Sequence, residues 1–503
     1  MDVTIPTLFE CARLHPDDPA LVDRSEWLSW RDVEARVLRI ANALLELDFP
    51  QGSRLAVVGE NSNDTLLVYV GAVLAGVGTV LVNYHLTADE IEYLLVDGAA
   101  HTIWASPESL TKAADAADRH GFRVFSDGNT SGWNELVDKA AEKHPPADLP
   151  ATTDLIYTSG TTGRPKAVEF PNVVTPTVDS RLESMARHHM AGLGPHLVVG
   201  PMYHAGPHGA VSLLLRGSPV VITGRFDAEF ILDAISDFHI ATSIMVPTHL
   251  IRLLGLPEER RRQADVSSLR MISVTGSACP TTVKRSMIEW FGPVLLETYG
   301  ASESGIVSRI TSDEWLKHPG SVGQAAPPFH PLVLDEAGSE CPPGAEGVLH
   351  FVDDSGRGIR YFNDPEKTAA AHVVPGTFTL GDVGHVDEDG YLYITGRVTD
   401  MVISGGVNIY PAECERILAD HPSVRDVALF GIPDDEMGER LVGLVSLDDD
   451  ATTPEMLIEF CRRSIANFKV PRRLLVVLEV PRSPMGKVDK HAARANYLES
   501  GGN

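Results

Sequence analysis

The sequence predicts an α/β fold: a large N-terminal domain of stacked α/β subdomains that also carries a β-rich subdomain, followed by a small α+β C-terminal domain. Three observations predict it. Short apolar runs alternate with helical patterns up to about residue 290, glycine-punctuated strands follow from about residue 327, and a separate set of strand and helix patterns begins near Thr399.

Taken in order, Arg54-Leu55-Ala56-Val57-Val58 reads as a strand, 65–75 as a helix, Thr79-Val80-Leu81-Val82 as a strand and 87–95 as a helix, an alternation that suits parallel strands with covering helices. Residues 66–82 are largely apolar and could be mistaken for a membrane span. Gly71, Gly76 and Gly78, and a length at the short limit for crossing a bilayer, favour a buried helix that turns into a strand. The alternation resumes at 196–200, 219–223, 228–238 and 243–246, and again at 269–274 followed by 281–290. Gly347-Val348-Leu349-His350-Phe351 and Gly390-Tyr391-Leu392-Tyr393-Ile394 are the strands of the β-rich part. The helical pattern at 456–465 suits a core face or a homodimer contact equally.

The chain has 503 residues with 42 basic and 69 acidic side chains, a net charge of −27 that argues against nucleic acid or an anionic membrane as a bulk partner. Any anionic ligand must be captured by local basic groups. Cys11, Cys279, Cys341, Cys414 and Cys461 are scattered without metal-ligand or disulfide-framework spacing, and Met1-Asp2-Val3-Thr4 opens no signal peptide. Reduced thiols and a cytoplasmic location are expected.

The stretch Tyr157-Thr158-Ser159-Gly160-Thr161-Thr162-Gly163-Arg164-Pro165-Lys166 follows the apolar Leu155-Ile156. Glycines let backbone N–H groups approach an anion, hydroxyls donate to phosphate oxygens, and Lys166 supplies charge. It is a loop suited to polyphosphate, although it matches neither G-x-x-x-x-G-K-[ST] nor G-x-G-x-x-G.

This string resembles the signature of the adenylate-forming (AMP-binding) synthetases, which include acyl- and aryl-CoA ligases. Further strings keep that family's order: Pro201-Met202-Tyr203-His204, Tyr299-Gly300-Ala301-Ser302-Glu303, Gly381-Asp382, Gly396-Arg397, Gly405-Gly406-Val407-Asn408-Ile409-Tyr410-Pro411 and Pro481-Arg482-Ser483-Pro484-Met485-Gly486-Lys487. The resemblance implies an adenylation domain over 1–396 and a mobile domain over 397–503 that swings about Thr399.

It also implies roles. Tyr299 stacks on adenine and Gly276-Ser277-Ala278 presents backbone to its edge; Gly300, Ala301 and Ser302 approach the nucleotide, with Ser302 on the α-phosphate, and Glu303 binds Mg²⁺. Asp382 accepts the ribose hydroxyls and Arg397 covers the nucleotide. Lys487 bridges carboxylate and α-phosphate as adenylate forms, His204 gates the acyl pocket, and Gly405 and Gly406 line a channel for the pantetheine of CoA. ATP, Mg²⁺ and coenzyme A are the implied cofactors.

The implied chemistry is attack of a carboxylate on ATP and capture of the acyl-adenylate by CoA; an ATP-dependent amide synthetase using an amine, or a non-catalytic nucleotide-binding protein, are the alternatives. Candidate lining residues Tyr203, His204, Gly206, Gly209, Ser212, Gly276, Ser277, Gly300 and Ala301 are mostly small, which suits a bulky fatty, aromatic or polycyclic acid. No arginine placed for a second carboxylate is readable. The sequence departs from the family pattern at Ala167, Ser302, Thr377, Leu380 and Thr399, without losing a required charge.

Overall fold

A computed structural model describes residues 5–127, 132–158, 165–169, 176–404, 407–434, 437–482 and 488–501. Three sheets organise them. The first has six strands in the order Arg123–Ser126, Ala100–Ala105, Arg54–Val58, Gly78–Val82, Leu155–Thr158 and Lys166–Glu169, parallel except for the last. Its central strands read as unbroken apolar runs because both faces are covered. Leu55 and Val57 enter one core with the helices Trp30–Leu45 and Asn63–Leu74, while Ala56 and Val58 enter another with the helix Ala88–Asp97. The apolar segment at 66–82 resolves into the buried helix Asn63–Leu74 and the strand Gly78–Val82. Among the described residues no helix is long and apolar enough to cross a membrane.

The second sheet has fourteen strands. The β-rich part is not a separate sheet. The strand Leu295–Ala301 runs parallel to Met271–Val274 on one side and antiparallel to Gly305–Thr311 on the other, so one continuous sheet passes from the α/β region into the β-rich region. What is separate is the packing: Phe329, Leu349, Phe351, Phe378 and Leu392 form their own core. Local patterns reveal strands but not the long-range pairing that joins them.

Tyr391–Arg397 is the last strand in the chain to join the large sheet, and Val402–Ser404 is the first of a third, five-stranded sheet. Its long hairpin, Val424–Asp434 with Gly438–Leu447, again splits its side chains between two cores. Val427 and Leu429 face the helices Pro411–Ala419 and Pro454–Arg462, whereas Ala428 and Phe430 face Ala493 and Tyr497 of the helix Lys490–Glu499. The helical pattern at 456–465 is therefore half spent on this domain's own core through Leu457 and Cys461. Cys461 lies 3.5 Å, Sγ to Sγ, from Cys414, a pairing across two helices that the scattered cysteine spacing did not suggest.

Candidate active site

The strands Leu155–Thr158 and Lys166–Glu169 form a hairpin in which Lys166 stands directly opposite Thr158. Ser159, Gly160, Thr161, Thr162 and Gly163 lie outside the described residues. The base of the hairpin is anchored at the buried Asp154. Its Oδ1 accepts both the N–H and the hydroxyl of Thr79 at 2.8 Å, and its Oδ2 accepts Arg181 Nη2 at 2.5 Å. Burial alone would push this carboxyl up, but Arg181, the neighbouring His208 and the Thr79 donors outweigh it and hold it below its usual range.

The far side of the hairpin meets the end of Leu295–Ala301. Thr158 Oγ1 donates to Glu303 Oε1 at 3.1 Å, joining the loop string to the Tyr-Gly-Ala-Ser-Glu string across 145 residues of chain. Gly300 is required there by close approach: an added Cβ would lie 1.9 Å from the Gly305 carbonyl oxygen, beside a register shift between Tyr299 and Gly300. Next to it the Tyr299 hydroxyl donates to Asp382 Oδ2 at 2.5 Å and Arg397 Nε donates to Oδ1 at 2.8 Å. Asp382 is only 1 % exposed. Burial and then Asp382 push the Tyr299 hydroxyl far above its ordinary value, so it stays a donor. An ionised carboxylate has about four lone-pair sites, so Asp382 can hold both partners and still accept a hydroxyl.

Among the described residues no group of three His, Cys, Asp or Glu side chains could hold a metal ion by itself. Mg²⁺ keeps water and phosphate ligands and takes one or two carboxylates from protein, and Glu303 offers one beside the loop.

A cavity of about 1730 Å³ adjoins this cluster at Gly300, Ala301 and Ser302. It exceeds the roughly 300–1,000 Å³ that suits one small ligand, leaving room for a nucleotide and an acid together. Gly276, Gly300, Ala301 and Ser302 line one part of it, and His204, Gly206, Gly209 and Ser212 another. Two expected wall residues are elsewhere. Tyr203 turns into the core, edge-on to Tyr84 at 5.5 Å, and Ser277, like Ala278, sits on the exposed turn after the strand Met271–Val274. Tyr299, Asp382 and Arg397 form their cluster among residues that do not line the cavity.

Sequence reading also missed several wall residues. Arg225, Arg252, Arg309 and His188 line the cavity, although no arginine had a readable placement. They come from four separate segments, and only the topology brings them together.

The small domain closes on the same cavity. Arg482, held by Asp426 through Nε–Oδ2 at 2.9 Å and Nη2–Oδ1 at 2.8 Å, lines it and donates to Thr248 Oγ1 of the large domain at 3.4 Å. Arg482 also pairs in an antiparallel bridge with Val488. Lys487 falls between these two residues and lies outside the described residues, as do Gly405 and Gly406. At the junction Lys490 Nζ spans Asp400 at 3.2 Å and Glu415 at 3.0 Å, directly after Thr399.

The AMP-binding enzyme family matches residues 8–355, and the C-terminal domain of AMP-binding enzymes matches residues 413–487. The chain belongs to the AMP-binding enzyme family. Along its length this AMP-binding enzyme is similar to an indoleacetate–CoA ligase of Aromatoleum aromaticum, at 30% identity over 97% of this chain and 98% of the relative. It is also similar to a feruloyl-CoA synthase of an Amycolatopsis species, at 31% identity over 97% of each chain. Among solved structures, ATP-bound MatB of Rhodopseudomonas palustris superposes with a TM-score of 0.81 at 29% identity, covering 98% of this chain and 99% of that one.

The expectation that Asp382 accepts the ribose hydroxyls has a direct test. Asp382→Ala removes a charged acceptor from two donors, each such bond being worth about 1.5–3 kcal/mol. The KM for ATP is expected to rise about ten- to a hundredfold, as read by pyrophosphate release. A KM within threefold of wild type would take Asp382 out of the nucleotide site.

Proposed function

We propose that this enzyme is a carboxylic acid–CoA ligase for a bulky acid, with residues 1–396 as the adenylation domain and 397–503 as a mobile domain. The observation that carries the reading is the convergence on one cavity of Gly300, Ala301 and Ser302 from the large domain, next in the chain to the Glu303 that Thr158 contacts, and of Arg482 from the small one. The full-length similarity to CoA ligases supports it.

The acid's carboxylate oxygen attacks the α-phosphorus of ATP, the bond to pyrophosphate breaks, and acyl-adenylate forms. A thiolate then attacks the acyl carbon, and AMP leaves with the bonding electrons. Splitting the reaction makes a poor electrophile reactive at neutral pH. In this reading Thr158 and Lys166 hold phosphate oxygens and Glu303 holds Mg²⁺. Tyr299, Gly276 and Asp382 bind adenosine, Lys487 neutralises charge in the first step, and Gly405 and Gly406 admit the pantetheine in the second.

The test is acid-dependent pyrophosphate release from Mg-ATP across aliphatic, aryl and polycyclic acids, with CoA, an amine or neither, and products identified by mass. A CoA thioester formed only with CoA present is expected. An amide formed without CoA would overturn the ligase reading, and so would no release with any acid.

A further inference from the structure

The cavity runs against the charge of the chain. The protein carries a net charge of −27, yet among the described residues Asp154 is the one acid lining the cavity, and Arg181 already holds it. Arginines line the wall from several segments. Two of them, Arg225 and Arg252, make no hydrogen bond or ion pair among the described residues. Both side chains keep exposed surface, so a ligand in the cavity can reach them. A concave wall of one sign focuses the field and draws anions in.

Local structure sets the pair on the wall. In the helix Pro247–Leu254, Leu250 and Leu253 enter the core, while Thr248, His249 and Arg252 share the face that lines the cavity. The Arg252 guanidinium lies 5.4 Å over the Phe226 ring, and His249 stacks on that ring at 4.7 Å with planes 15° apart. Phe226 also lines the cavity and directly follows Arg225, so Arg252 is held over the neighbour of the second cation. Burial keeps His249 uncharged, pulling its pKa down to about 4, which leaves the charge to the arginines.

Sheet order separates these cations from the nucleotide's phosphates. The strands run Leu295–Ala301, Met271–Val274, Thr242–Met245, His196–Val198 and Val220–Ile222, all parallel. Residues 248–252 follow the third and Arg225 follows the fifth, at the carboxyl ends where such sheets bind ligands. At about 4.8 Å per strand they stand about 10 and 19 Å along the sheet from the strand that leads to Glu303. The phosphate loop has cations of its own, Lys166 opposite Thr158 and then Arg357 and Arg360, whose segment joins the hairpin where Phe362 N–H donates to the Ala167 carbonyl at 2.9 Å. CoA is excluded by timing. Arg482 donates to Thr248, so this wall is covered by the small domain in the arrangement that brings the Lys487 segment to the cavity, the arrangement of the first step, in which CoA takes no part.

Resting on the ligase reading above, we propose that Arg225 and Arg252 form an anion subsite for the acid, and that the acid is a dicarboxylate: one carboxylate is activated and the other pairs with these guanidiniums. A guanidinium presents a planar fork of N–H donors that matches a carboxylate in two parallel bonds. A monoacid leaves both cations on the cavity wall without a counter-charge.

Matched acids test this directly: propanedioate against propanoate, hexanedioate against hexanoate, dodecanedioate against dodecanoate, and 4-carboxycinnamate against cinnamate. Pyrophosphate release is read with hydroxylamine capturing the acyl-adenylate, so that the first step turns over without CoA. The expected result is a kcat/KM at least about tenfold higher for the diacid in one or more pairs. In Arg252→Gln and in Arg225→Gln that ratio falls towards one, while Arg252→Lys, which keeps the charge and loses the fork, retains part of it. The wild-type ratios need no variant and stand if either variant fails to fold. Monoacids equal to or better than their diacids in every pair, with turnover present, would overturn the subsite and leave the ligase reading intact. A raised KM for CoA in Arg252→Gln with the diacid ratio unchanged would also overturn it, moving these cations to the phosphates of CoA. No release with any acid would overturn both readings.

Discussion

Lys487→Ala is expected to lower acid-dependent pyrophosphate release by about a hundred- to a thousandfold, the loss that follows when one group aimed at developing charge is removed. ATP binding, read by calorimetry, should change by less than about tenfold. The reason lies in the role proposed for this residue and in its place in the chain. Lys487 adjoins Val488, which is bridged to Arg482, and Arg482 is clamped by Asp426 at the cavity wall. A lysine that acts only on charge developing as the adenylate forms contributes little to ground-state nucleotide binding. Supplying the acyl-adenylate separates the two half-reactions: thioester formation with CoA should fall far less than adenylate formation. Pyrophosphate release at the wild-type rate would remove Lys487 from the first step.

What the sequence made legible was local. Arg54-Leu55-Ala56-Val57-Val58 could be read because a strand covered on both faces leaves no room for polar alternation, and Leu55 and Ala56 do enter opposite cores. The loop and the Tyr-Gly-Ala-Ser-Glu string could be read because phosphate and metal chemistry restricts residue type over a short stretch. Their meeting could not be read: the Thr158–Glu303 contact spans 145 residues and depends on sheet order. The same limit hid the cavity wall. His188 lies between a helix and a strand with no periodic signal, and Arg225, Arg252 and Arg309 look like ordinary solvated cations until the fold brings them to one space. Tyr203 failed for the opposite reason: its motif placed it near the site, but its ring found the larger apolar surface in the core.

The buried pair Lys284–Glu297 was equally invisible, and removing one partner is expected to produce the largest stability loss in the large domain. The helix Thr281–Phe291 reads as amphipathic, and a lysine on it would ordinarily face water. Here Lys284 is fully buried, with Nζ 2.5 Å from Glu297 Oε2 and 4.7 Å from the centre of the Trp315 ring. Burial pulls the ammonium down and pushes the carboxyl up, so each stays charged because of the other. Lys284→Met should destabilise by about 3–5 kcal/mol at neutral pH, followed in urea by Trp315 fluorescence. The deficit should shrink as pH falls towards the ordinary glutamate range near 4.3, because a carboxyl with a raised folded pKa opposes folding only once it must ionise. Lys284→Met with Glu297→Met should recover most of the loss, since two apolar side chains leave no charge without a partner. Additive losses in that double variant would mean that the two side chains act separately, through packing and not through each other.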